Sequence, residues 1–148
     1  MRSVRRSNPV SDSAACYVLD SFALLAYLED ETGAALVEEL LMNASQGANQ
    51  VLFSLINYGE CLYIVERERG LLQAQMMIGM IDQLPIMVVE VDRTHVLAAA
   101  HLKAHYPISY ADAFAVSLAQ QRQATLLTGD PEFAKLQHLV SIQWLPQR

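Results

Sequence analysis

The sequence has few cysteines and no long hydrophobic run. Its 148 residues include only 2 cysteines, Cys16 and Cys61, which lack the close spacing of zinc-binding or thiol-redox pairs. We interpret both as buried free thiols outside any site. The longest apolar runs fall well short of the roughly 18 residues that a membrane span requires, and no apolar segment follows the arginines near the N-terminus as it would in a signal peptide. These absences predict a soluble, cytoplasmic protein that does not enter a membrane.

Basic residues are also scarce. The chain has 10 lysines and arginines against 16 acidic residues, a formal net charge of −6. Because nucleic-acid phosphates are bound mainly by lysine and arginine, this balance argues against a nucleic-acid partner unless the acids gather around cations. The 53% hydrophobic content indicates one globular domain with a sizeable core, which we assign to residues 16–148. Residues 1–15 are expected to form a mobile tail whose arginines are more typical of a solvated terminus than of an RNA contact.

Short apolar runs alternate with segments of helical periodicity along the rest of the chain. Strands are predicted over 16–19, 50–53, 86–91, 124–127 and, at a sheet edge with Trp144 covering the core, 140–145. Helices are predicted over 21–28, 33–43, 55–69, 71–84 and 93–105, with a further helix in 108–123. This alternation predicts an α/β fold with parallel strands.

Three aspartates fall where ligands bind in such sheets. Asp20 follows the first strand, Asp112 lies in the first turn of the helix after Ile108, and Asp130 lies in a Thr-Gly-Asp-Pro turn after the strand that ends at Leu127. The crevice beyond the carboxyl ends of parallel strands is the usual place for chemistry, and these carboxylates can reach it. Asp20 has a second interpretation of equal weight, since aspartate is also a favoured helix cap.

A fourth acid, Glu60, lies in the helix over 55–69. It shares a broad face with Ile56, Gly59 and Tyr63, residues that we expect to pack inward. A glutamate on a helix is by default solvated, but an unpaired carboxylate beside packed residues is costly and therefore suggests a site.

Carboxylates gathered in this way need a cation. Two of them at about 4 Å repel by roughly 4 kcal/mol at an effective dielectric constant near 20. A hard divalent ion such as Mg²⁺ accepts carboxylate ligands and substrate phosphate oxygens, and it can activate a bound water. Two other acid-rich classes fit poorly: the haloacid-type phosphatases require a second aspartate where this chain has Phe22, and the receivers require a late lysine that neither Lys103 nor Lys135 supplies.

Four segments together resemble a known family. They are Tyr-Val-Leu-Asp20-Ser, Ser-Leu-Ile-Asn-Tyr-Gly-Glu60, Ile-Ser-Tyr-Ala-Asp112-Ala-Phe-Ala and Leu-Leu-Thr-Gly-Asp130-Pro-Glu-Phe. In order and spacing they resemble the PIN domain and, more closely, the VapC-type toxins of prokaryotic toxin–antitoxin pairs, over roughly residues 17–145.

The resemblance implies a three-layer α/β/α sandwich with a mainly parallel central sheet, and endonucleolytic cleavage of RNA. It implies that the four acids are the catalytic residues and the ligands of Mg²⁺ or Mn²⁺, and that the hydroxyls of Ser21, Ser109 and Thr128 orient a carboxylate or a metal-bound water. One departure is Gly129, which stands where many such toxins carry a basic residue before the last aspartate.

The resemblance also implies partners. We expect a small antitoxin protein to bind a groove formed by the helices over 55–69 and 71–84, and the chain to form a homodimer through another surface. The methionines at 76, 77 and 80 suit such a groove, although methionines on a helix more often fill a core. The alternative function is a catalytically silent PIN-like module that binds a protein or RNA. Because all four acids are present, we prefer the enzyme.

Overall fold

A five-stranded parallel sheet forms the centre of the protein, of which the computed structural model describes residues 14–146. The strands are β1 (Ala15–Leu19), β2 (Asn49–Ser54), β3 (Met87–Val89), β4 (Thr125–Thr128) and β5 (Ile142–Trp144). They lie in the order β3-β2-β1-β4-β5, and every neighbouring pair is parallel. The chain therefore has a central β1 that is covered on both faces, as parallel sheets require.

Helices cover the two faces of this sheet. They are α1 (Ser21–Leu28), α2 (Ala34–Ser45), α3 (Leu55–Arg69), α4 (Leu71–Asp82), α5 (Arg93–His105) and α6 (Tyr110–Arg122), with a 3₁₀ helix over Pro131–Leu136. Each strand alternates its side chains between faces. Leu19, for example, joins a core with α1 to α4, whereas Val18 joins a second core with α5, α6 and the 3₁₀ helix. The predicted three-layer α/β/α sandwich is confirmed.

Most predicted elements are present with ends shifted by a few residues, but some details differ. Trp144 does not cover the core: its side chain is exposed, and the neighbouring Leu145 is buried instead. Cys61 is buried as predicted, whereas Cys16 is only half-buried. The predicted tail lies almost wholly outside the described residues, and β1 already begins at Ala15. No helix within residues 14–146 combines the length and apolarity that crossing a membrane requires.

The parallel arrangement brings several chain segments to one edge of the sheet. Asp20 directly follows β1, Ser54 ends β2, and Thr128 ends β4. The helix α1 begins at the residue after Asp20, and α3 begins at the residue after Ser54, whose hydroxyl accepts a hydrogen bond from the Ile56 N–H at 3.2 Å. The carboxyl edge of the sheet is therefore lined by strand ends and helix N-termini.

Candidate functional site

Asp20 is a buried carboxylate at the junction of β1 and α1. It is 1% exposed, and its Oδ1 accepts the Ala23 N–H at 2.8 Å, which caps α1. Its Oδ2 accepts a hydrogen bond from the Thr128 hydroxyl. Burial raises the pKa of Asp20 to about 7, the repulsion of Asp112 and Asp130 adds to this rise, and the two hydrogen bonds oppose it. Asp20 is thus a helix cap, but one whose charge is disfavoured by its surroundings.

Thr128 connects Asp20 to the turn that carries Asp130. Its side chain is fully buried, and its Oγ1 also accepts the Asp130 N–H at 3.0 Å. Asp130 is half-buried and caps the 3₁₀ helix, because its Oδ1 accepts the Glu132 N–H at 3.0 Å. The hydroxyl predicted to orient a carboxylate does contact one, and it belongs to the residue that ends β4.

Asp112 occupies the first turn of α6, as predicted. Ser109 caps this helix by accepting the Asp112 N–H at 3.1 Å. Burial raises the pKa of Asp112 to about 6, a hydrogen bond from Ser109 opposes this rise, and the charges of Glu60, Asp130 and Glu132 reinforce it. Asp112 therefore lies within electrostatic reach of two other predicted site acids and of Glu132, which was not predicted as a site residue.

Glu60 is half-buried on α3. The prediction that Glu60 shares a face with inward-packing residues is wrong. Gly59 and Tyr63 are exposed, and only Ile56 is partly buried. What relates Glu60 to the other acids is its charge, which contributes to the raised pKa of Asp112.

Asn57 joins α3 to α1 and α6, and it was not predicted as a site residue. It is fully buried, and its Nδ2 donates to Ser21 Oγ at 3.2 Å and to the Ala111 carbonyl at 3.2 Å. The Ser21 hydroxyl in turn donates to the Asn57 carbonyl at 3.3 Å. The Oδ1 of Asn57 has no hydrogen-bond partner among the described residues. A polar residue one turn before Glu60, flanked by Ile56 and Tyr58, was the available signal.

The donor set suits a hard divalent cation. All four predicted ligands are carboxylates, and across residues 14–146 the ion pairs join other residues, Arg69 with Glu29 and His95 with Asp92. Within the same range no three histidine, cysteine or acidic side chains are close enough to hold one ion as they stand. Carboxylate oxygens are the ligands that hard divalent cations take. In this arrangement the acids influence each other through their charges, which contribute to the raised pKa values of Asp20 and Asp112.

Comparison with known proteins identifies related folds. The model of the PIN domain family matches residues 17–139. A VapBC2 complex from Rickettsia felis bound to a promoter DNA fragment has 18% identity and a TM-score of 0.69, over 88% of this chain and 99% of that chain. DNA-bound VapBC from Salmonella typhimurium has 17% identity and a TM-score of 0.67, over 87% and 97%. VapC20 from Mycobacterium tuberculosis, a toxin that cleaves the sarcin-ricin loop, has 16% identity and a TM-score of 0.59, over 81% and 94%. A search of the curated proteins gave no significant match.

The raised pKa values of Asp20 and Asp112 predict that the stability of the folded chain decreases as pH rises. The pKa of Asp20 is about 7 and that of Asp112 about 6 in the folded chain, each raised from 3.8. Between 3.8 and these raised values the folded state binds more protons than the unfolded state, so in chelator the melting temperature should fall as pH rises toward neutrality.

Asp112→Asn should melt higher than wild type in chelator at pH 7.5, because it removes charge repulsion among the acids. A gain of about 1 kcal/mol in the free energy of unfolding corresponds to roughly 2–4 °C. In Mn²⁺ its gain should be smaller, because a ligand is lost.

Paired thermal melts in chelator and in Mn²⁺ test this, with Glu39→Gln on exposed α2 surface as a charge-matched control. If Asp112 served only the dipole of α6, its loss would cost a few tenths to about 1 kcal/mol with or without metal. A mutant that is less stable in chelator and fully responsive to Mn²⁺ would contradict the shared site.

Asn57→Ala should lower stability, because it removes both side-chain hydrogen bonds that connect α3 to α1 and α6. We expect a loss of about 1–3 kcal/mol, measured by urea unfolding. Asn43→Ala, a half-buried asparagine on α2, is the control and should change little. Equal midpoints for the two variants would mean that the Asn57 side chain does not hold the helices together.

Proposed function

The chain belongs to the PIN domain family, and from this premise we propose that it is a divalent-metal-dependent endoribonuclease and the toxin of a toxin–antitoxin pair. The observation that carries the proposal is the buried Asp20, whose pKa is raised to about 7 and which interacts electrostatically with Asp112 and Asp130. If Asp20 served only as a helix cap, the repulsion from Asp112 and Asp130 would disfavour its charged form without any benefit. A cation bound between them would remove that cost.

In this proposal Asp20, Glu60, Asp112 and Asp130 hold Mg²⁺ or Mn²⁺. When bound, such a cation supplies charge to the scissile phosphate and a water activated near neutral pH. The chain's own residues fix the carboxylates: the Thr128 hydroxyl and the Ala23 N–H engage both oxygens of Asp20. Asp20 would hold a cation only in its ionised form, so cation binding should tighten as pH rises toward 7.

The choice of RNA as substrate has a separate support. One of the similar folds, VapC20, is a toxin that cleaves the sarcin-ricin loop, which is an RNA. The net charge of −6 repels a polyanion, and metal ions at the acid cluster would offset that repulsion where the phosphate must approach. Cleavage therefore requires the cation for binding as well as for chemistry.

Cleavage should depend on Asp20 and on metal. We expect the purified protein to cut a panel of cellular RNAs in Mg²⁺ or Mn²⁺ and to stop in chelator. Asp20→Asn should lose at least about 100-fold in rate, because it removes a ligand of the cation that would stabilise the developing charge. Asparagine is also a good helix cap, so this variant should remain folded. Glu39→Gln should keep full activity. If wild type and Asp20→Asn cut at equal rates, the activity comes from a contaminant and the assignment is wrong.

We also propose that a small antitoxin protein binds the α3–α4 surface, which we define by the exposed apolar side chains on these helices. The most exposed of them are Tyr63 (50% exposed), Leu71 (59%), Leu72 (68%) and Met76 (52%). Several similar folds were determined as toxin–antitoxin complexes. An amphipathic partner helix buries apolar residues of this kind efficiently. The proposed homodimer would use a different surface.

The partner proposal is tested with whichever small protein the reading frame next to this chain's gene encodes. Hydrogen exchange across residues 55–84 should slow in the complex, because backbone covered by a partner opens less often. Leu72→Ser should weaken the complex by about tenfold or more, whereas Leu97→Ser, an equally apolar exposed change on α5, should not. Unchanged exchange over 55–84 in a stable complex would exclude this surface.

A further inference from the structure

Phe22 is a solvent-exposed aromatic residue close in the chain to Asp20. It lies in the first turn of α1, two residues after Asp20, and is 43% exposed, although its neighbours Ser21 and Ala23 are buried. The core therefore does not account for its position. The proposed mechanism gives Phe22 no role, either in holding the cation or in orienting the carboxylates.

The ring lies against Gly129. A Cβ at that position would be 2.3 Å from the Phe22 Cε1 and 3.0 Å from its Cδ1 and Cζ. These distances are shorter than real carbon contacts, so the ring occupies this place only because residue 129 has no side chain. Gly129 is itself the link between Thr128, which contacts Asp20, and Asp130. The ring thus lies against the turn that joins Thr128, the partner of Asp20, to Asp130.

The surroundings favour a contact that does not depend on charge. Gly129 has no charged side chain that could bind a phosphate. In the range 14–146 the lysine and arginine ion pairs do not include the four proposed cation ligands. A nucleotide that approaches this turn therefore meets carboxylates and the exposed ring of Phe22. Stacking of a base on an aromatic ring holds single-stranded RNA without a positive side chain, and it tolerates any base because each has a π-face.

We propose that Phe22 is a stacking platform for one nucleobase of single-stranded RNA, next to the phosphate that is cut. The inference deepens the proposed function and rests on it, because it takes RNA as the substrate. It assigns to the Asp130 turn a role in holding the substrate, through Gly129 and Phe22, in addition to the role of its carboxylate.

The test measures binding in an Asp20→Asn background, so that the RNA stays intact while the other three proposed ligands of the cation remain. Short fluorescein-labelled single-stranded RNAs are titrated by anisotropy in Mn²⁺, with a series in which one base at a time is replaced by an abasic site. With Phe22 present, one position should be sensitive to base removal. Phe22→Ala should weaken binding of the intact RNA by about 5- to 100-fold, as loss of one base–aromatic stack does. It should also abolish that sensitivity, whereas Phe22→Trp should keep it.

Gly129→Ala provides a second route to the same result. Gly129→Ala leaves Phe22 in the chain but displaces its ring, so RNA binding should weaken when Phe22 is present. In a chain that already carries Phe22→Ala, Gly129→Ala should cause no further loss of RNA affinity. Thermal melts establish that each variant is folded. A ring that only covers the backbone would lower stability on removal and leave the abasic profile unchanged.

The remaining outcomes are distinct. If wild type cleaves RNA and folded Phe22→Ala binds every RNA as the parent does, the platform is wrong and the nuclease stands. If Phe22→Ala weakens only the complex with the neighbouring gene's protein, the ring is a protein contact and the platform is again wrong. If wild type neither binds nor cuts RNA in Mn²⁺, the proposed function fails together with the platform.

Discussion

Parallel pairing of β1 with both of its neighbours is the constraint from which the rest of the site follows. Because β2 and β4 run in the same direction as β1, Ser54, Asp20 and Thr128 reach the same edge of the sheet. The hydroxyl of Thr128 can then contact the carboxylate of Asp20 across the strand gap. A register shift by one residue would turn Thr128 to the other face and leave that carboxylate without its partner.

The same edge also collects the N-termini of helices, and this affects how the acids are tolerated. The caps of α1, α3, α5 and α6 are Asp20, Ser54, Asp92 and Ser109. A helix N-terminus carries a partial positive charge that stabilises nearby anions by a few tenths to about 1 kcal/mol. The helices thus compensate in part for the carboxylates, but the raised pKa values of Asp20 and Asp112 indicate that this compensation is incomplete.

Sequence patterns predicted the fold well because each element carries its own local signal. The alternation of Val18 and Leu19 between two cores, for example, follows directly from strand geometry. Asp20, Asp112 and Asp130 were placed from their positions beside strand and helix ends. The face of Glu60 was misjudged, because helical spacing relates Tyr63 to Glu60 but does not say which side of α3 meets the sheet. Asn57 was missed for a similar reason, since its contacts with Ser21 and Ala111 join residues far apart in the chain.

The contact between Phe22 and Gly129 makes these two positions interdependent. With the ring in its present place, even a methyl group at residue 129 would meet it at 2.3 Å. A long basic side chain at 129 and an aromatic ring in this place therefore exclude each other. In this chain the turn therefore has room for the ring of Phe22 in its present place or for a side chain at position 129, but not for both. Substitutions at the two positions should accordingly be accepted in pairs, and a change at 129 alone would select for a smaller residue at 22.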